Sequence, residues 1–151
     1  MSDIATKGYI IPAIVEILGG IIGISFSIWM MITQPTGISS MFLLEMSLLS
    51  LVAGVFLLRK ERSGRILSFI VFGLQILEIK SSVFTFLITA LPITAVLTVS
   101  TGLPDPINMS FNVQFLRAAF NFQLVASDGL SIGINLFALL MFWLVDKHGE
   151  D

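Results

Sequence analysis

A chain of 151 residues that is 56% hydrophobic and only 12% charged carries about half the charge of an ordinary soluble domain, which runs near 25%. That much apolar surface exceeds what a water-soluble core of this length can hide, so the chain is expected in a membrane. A net charge of −2 gives no basis for nucleic-acid binding, and the lack of cysteine removes disulfides, thiol catalysis and thiolate metal sites.

Four apolar runs follow one another along the chain, at about 9–33, 41–58, 66–91 and 129–145. Each reads as a membrane-crossing helix, which needs about 17–25 such residues. No small-residue cleavage site follows the first run, so it is expected to remain as a span. The third apolar stretch, Ile66 to Val99, is too long for one crossing. Pro92 is the expected stop, because the residue before a proline is biased away from helix. The β-branched run ITAVLTVST then predicts a strand over 93–100.

Further on, Phe111, Val113 and Phe115 alternate with Asn112 and Gln114, and Phe120, Phe122 and Leu124 alternate with Asn121 and Gln123. Period two is the mark of half-buried strands. A tight turn at Arg117–Ala118 would set Phe115 against Phe120, Val113 against Phe122 and Phe111 against Leu124. The expected fold is therefore an all-α integral membrane protein. It is a single domain over 1–151, a four-transmembrane-helix bundle with a small extracytoplasmic β-hairpin or three-stranded sheet at about 92–126. The six apolar side chains of that segment must be covered, either by the outer ends of the chain's own helices or, as an outer interaction face, by a partner or lipid.

Lysine and arginine set the expected orientation. Lys7, Arg59, Lys60, Arg62, Arg65 and Lys147 fall on one side of this threading, and Arg117 alone falls on the other. The positive-inside rule places both termini and the basic loop in the cytoplasm.

Ionisable groups within spans are costly and are read first as functional candidates. Glu16, Glu45, Glu78 and Lys80 are such groups. On a helix, Glu78 and Lys80 differ by about 200° and point apart, which leaves Glu45, at similar depth, as the expected partner of Lys80. Gln75, Glu78, Ser82, Thr85 and Thr89 recur at spacings of three and four and would form one polar stripe on the third helix. Glu16, Gly20, Gly23 and Ser27 form a second stripe, and Gly19 with Gly23 makes a GxxxG, the small-residue pattern of closely packed membrane helices. The two stripes predict that the first and third spans meet, with Asn135 adding a buried amide from the fourth.

No metalloprotease helix motif, phosphate loop or nucleophile–base pair occurs, and His148 stands alone in a charged tail. No catalytic residue, metal or cofactor is expected. The expected partners are the lipid bilayer and either other membrane subunits or further copies of the chain. The expected role is an accessory or assembly subunit of a membrane complex. The alternative is an oligomeric pore lined by the polar stripe on helix 3.

Overall fold

A computed structural model describes residues 9–33, 38–81, 85–101, 107–123 and 129–147. It contains helices α1 (Ile10–Thr33), α2 (Ile38–Leu58), α3 (Arg62–Ile76) and α4 (Leu136–Lys147), with strands β1 (Leu77–Lys80), β2 (Thr85–Thr101), β3 (Asn108–Gln123) and β4 (Leu130–Asn135). The all-α bundle is thus replaced by four helices and a four-stranded antiparallel sheet of order β1-β4-β2-β3. Among the described residues, two helices, α1 and α2, are long and apolar enough to cross a membrane.

The third and fourth apolar runs each change from one periodicity to the other. The helix expected over 66–91 ends at Ile76 and continues directly as β1. It stops far short of Pro92 because the segment from Ile76 to Thr89 is dense in β-branched side chains: Ile76, Ile79, Val83, Thr85, Ile88 and Thr89. Such residues lose rotamer freedom in a helix and fit a pleated surface. The fourth run opens as β4, where Leu130, Ile132 and Ile134 alternate with Ser131, Gly133 and Asn135, and becomes α4 at Leu136. Asn135 makes the switch. Its Oδ1 accepts hydrogen bonds from the N–H groups of Phe137 (3.2 Å) and Ala138 (3.3 Å), satisfying helix-start donors as an N-cap does. At 15 and 12 residues, α3 and α4 are about 22 and 18 Å long, short of the ~30 Å hydrocarbon core.

β3 is one continuous strand with no turn at Arg117–Ala118. Its partner is β2, in an unbroken antiparallel register from Thr85↔Gln123 to Ser100↔Asn108, with Arg117 opposite Leu91. Phe120 and Phe122 pair with Ile88 and Phe86 rather than with Phe115 and Val113. Leu124 and Ser82 lie outside the described residues. The strand expected over 93–100 falls within β2.

β2 borders the β1–β4 ribbon on both sides. Its start pairs with β1 (Ile79↔Phe86) and its end with β4 (Val99↔Ile132), while Ile79 pairs with Ile132 between them. Three cross-strand steps of about 5 Å put Phe86 within roughly 15 Å of Val99. A straight strand would separate residues thirteen apart by about 43 Å. β2 must therefore bend sharply, and its buried side records where. Leu87, Thr89 and Leu91 are buried before Pro92, and Thr94 and Val96 after it, so the buried parity reverses at the proline. Proline, which has no N–H to give a ladder, suits such a corner.

The helical core joins Ala13, Leu57, Phe72, Ala138, Met141 and Val145 with Leu91 from β2. The start of α1 and the end of α2 thereby meet α3, α4 and the Pro92 corner of β2 in one core. The α2–α3 corner closes as a Schellman motif: Glu61 N–H donates to Phe56 O (3.0 Å) and Lys60 N–H to Leu57 O (3.0 Å), with Lys60 left-handed at φ 58°.

Candidate functional site

Small residues bring α1 and α2 into close contact. A Cβ added at Gly20 would lie 2.8 Å from both Leu51 N and Ser47 O, and one at Gly54 would lie 2.8 Å from Ala13 O and 3.0 Å from Glu16 Cβ. Gly19, Gly23 and Ser27 are buried on the same side of α1, and Ser27 Oγ donates to Gly23 O at 2.7 Å. The expected small-residue stripe is real as a buried face, but its Gly20 contact is with α2 rather than with the third helix.

Glu16 lies where α1, α2 and α3 converge and is fully buried. Its Oε2 accepts a hydrogen bond from Ser68 Oγ of α3 at 2.8 Å, and its backbone carbonyl accepts one from Ser50 Oγ of α2 at 3.0 Å. Oε1 has no hydrogen-bond partner among the described residues. Glu16 is thus the polar link of the three helices. Ser50 and Ser68 escaped the sequence reading. The spacing of Ser47, Ser50 and Gly54 on α2, and of Gly64, Ser68 and Gln75 on α3, is the signal that marks two further small or polar faces.

The stripe Gln75–Glu78–Ser82–Thr85–Thr89 does not exist on a helix. Gln75 ends the buried face of α3, Glu78 is on β1, and Thr85 and Thr89 are on β2. The pore reading loses the feature it rested on. In a strand, residues two apart share a face, so Glu78 and Lys80 point the same way instead of apart. Glu78 is buried and Lys80 exposed. Glu45 is exposed on α2, and no hydrogen bond or ion pair joins it to Lys80 among the described residues.

The inner side of the sheet mixes buried polar residues, Glu78, Thr89, Thr94 and Asn135, with buried Leu87, Leu91 and Val96, whereas the row beside Glu78 faces outward and is apolar. Glu78, Gly133 and Thr98 are cross-strand neighbours in one row. A Cβ on Gly133 would lie 3.3 Å from both Glu78 Cβ and Thr98 Oγ1, so this row faces inward, beside fully buried Thr94 and Asn135. The neighbouring row, Leu77–Ile134–Leu97–Phe111, faces outward, with exposures of 39, 41, 37 and 61%. Comparison with known protein families, with curated proteins and with solved structures finds no match.

The outward row ends at β3, which among the described residues pairs with β2 alone. From Ile107 to Val113 every residue is exposed, and Phe115 is 72% exposed. Of the expected interaction face, Phe111, Val113 and Phe115 are therefore presented together, flanked by Met109. At the start of α3 and the end of α4, basic side chains lie over aromatic rings. Arg65 Cζ lies 6.0 Å from the Phe69 ring centroid, and Lys147 Nζ lies 4.9 Å from that of Trp143. Arg59, Lys60 and Arg62 sit on the α2–α3 corner.

Proposed function

We propose that this chain is a non-catalytic integral membrane protein that serves as an assembly subunit, joined to other membrane polypeptides through its sheet. One observation carries the reading: an apolar-outside sheet that ends in an open edge. Neither solvent suits that edge alone. Water penalises the exposed Met109, Phe111, Val113 and Phe115. Hydrocarbon penalises the unpaired N–H and C=O groups along β3, since lipid satisfies no backbone hydrogen bond. A polypeptide neighbour meets both demands.

Supporting the membrane assignment, α1 and α2 have the length and hydropathy to cross and expose Ile11, Ile21, Trp29, Ile32 and Leu48. The outward apolar row of the sheet, with Glu78, Thr94 and Asn135 turned inward, has the outer polarity of β-structure in contact with lipid. The basic end is assigned to the cytoplasm by the positive-inside rule, which puts the α2–α3 corner and the end of α4 there.

The test is the native mass of the full chain, gently extracted from the membrane of the cell that makes it. The reading expects an assembly heavier than one chain that keeps its size on dilution. A monomer under those conditions overturns it.

A further inference from the structure

The geometry points to β3 as an acceptor for one added strand: an extended, uncharged segment of a partner polypeptide that alternates apolar and hydroxyl or amide side chains. This rests on the assembly reading above and names what that assembly recognises. The acceptor is Ile107–Phe115. Its inner edge is taken by β2, and among the described residues nothing pairs with its outer edge. Arg117 is the first charge after Asp105, so no charge interrupts the acceptor. The devices that usually protect an edge strand, a lysine, a proline or a bulge, are missing from it, since the pairing register with β2 runs without a break.

β2 itself shows which chemistry fits. Antiparallel neighbours share faces, and across Ile93–Ser100 the apolar Ile93, Ala95, Leu97 and Val99 stand opposite Phe115, Val113, Phe111 and Met109. On the other face Thr94, Val96, Thr98 and Ser100 stand opposite Gln114, Asn112, Ser110 and Asn108. A strand added to the outer edge meets the same two rows. Apolar residues at every second position continue the outer apolar surface, and small polar residues between them continue the inner one. Backbone hydrogen bonds would supply affinity and the alternation would supply selection, as in other strand-addition interfaces. A charged residue at an apolar position would be held beside Phe111 or Val113 without a partner, which is costly.

The probe is a fluorescent peptide copying Ile93–Thr101, with terminal lysines for solubility. It is titrated onto the full chain in phosphatidylcholine nanodiscs. The expected result is saturable binding, weakened about tenfold, or about 1.4 kcal/mol, by Val113→Lys and by Phe111→Lys. Amide exchange on Ile107–Phe115 should slow when the peptide binds. Both substituted side chains are exposed, and unchanged protection of α1 and α2 amides verifies that the variants fold. A composition-matched peptide with its apolar residues grouped should not bind. Equal binding of the two peptides, or no binding of either, overturns strand addition. So does a wild-type dimer whose outer edge is already protected, because the occupant is then a second copy. A chain that is assembled in its own membrane yet ignores the peptide keeps the assembly reading and loses this one.

Discussion

Two glycine-to-alanine substitutions should act in opposite directions. At Gly20 a methyl group would lie 2.8 Å from Leu51 N and Ser47 O and 2.9 Å from Leu51 Cβ. Two of these atoms are backbone and cannot rotate away. Ordinary contact begins near 3.5 Å, so α1 and α2 must part locally by about 0.7 Å or more. A gap of that size forfeits roughly a quarter to a half of each dispersion contact lining it, and overpacking of this kind costs about 1–3 kcal/mol. Alanine returns about 1 kcal/mol through its helix propensity, leaving a net loss of up to about 2 kcal/mol. At Gly73 the nearest atom to an added methyl is Phe142 Cε2 at 3.8 Å, an ordinary contact. There the propensity gain stands alone, at about 1 kcal/mol. Reversible unfolding of the full chain in mixed micelles, followed against the mole fraction of denaturing detergent, measures both. If Gly20→Ala is as stable as Gly73→Ala, the close α1–α2 interface is wrong.

Ser68→Ala strips the donor from Glu16 Oε2 in a buried site and should cost about 1–3 kcal/mol. Adding Glu16→Leu should recover most of that loss in the same unfolding assay, because no buried acceptor then lacks its partner. Lys60→Gly relieves a left-handed residue at φ 58° and should raise stability by about 1 kcal/mol, again read as a shifted unfolding midpoint. In the cysteine-free chain, Leu97→Cys with Phe111→Cys should oxidise readily to an intramolecular disulfide, since the two residues are cross-strand partners at about 5 Å. Phe115→Cys with Phe120→Cys should not, because five steps along one strand, even folded at Leu116, leave the two residues about 10 Å or more apart, beyond disulfide reach.

α1 and α2 were legible because each is an unbroken apolar run with no competing pattern. The other half of the chain was not, for two physical reasons. Apolar length hides the point at which a helix becomes a strand. Ile76–Leu77 carries no proline or glycine to mark it, although the β-branched crowding beyond it and the alternation of Leu130, Ile132 and Ile134 are visible in the sequence. The second reason is the reversal in β3. Its apolar parity changes between Phe115 and Leu116, which a tight turn explains as well as a bend does. The pairs Leu91↔Arg117 and Ile93↔Phe115 put Leu116 opposite Pro92, where β2 reverses its own buried side. The corner of β2 thus falls at the point where the apolar parity of β3 changes in the sequence, and only the pairing partner reveals it. For the buried polar residues, Glu16 could be found from its stripe. Ser68 lies 52 positions away, and no local pattern connects the two. Glu78 and Lys80 were visible as charges, but their relative direction depended wholly on helix against strand.

The account turns on β3 having one paired and one open edge, and residue-resolved amide exchange of the isolated chain in lipid nanodiscs measures this directly. In an antiparallel edge strand, alternate N–H groups point to the neighbouring strand and to the free side. Between Asn108 and Phe115, slow and fast exchange should therefore alternate residue by residue. Uniformly fast exchange across that segment would mean that the β2–β3 pairing does not form. Uniformly slow exchange in the isolated chain would mean that its outer edge is already covered, and the proposed assembly surface would not exist.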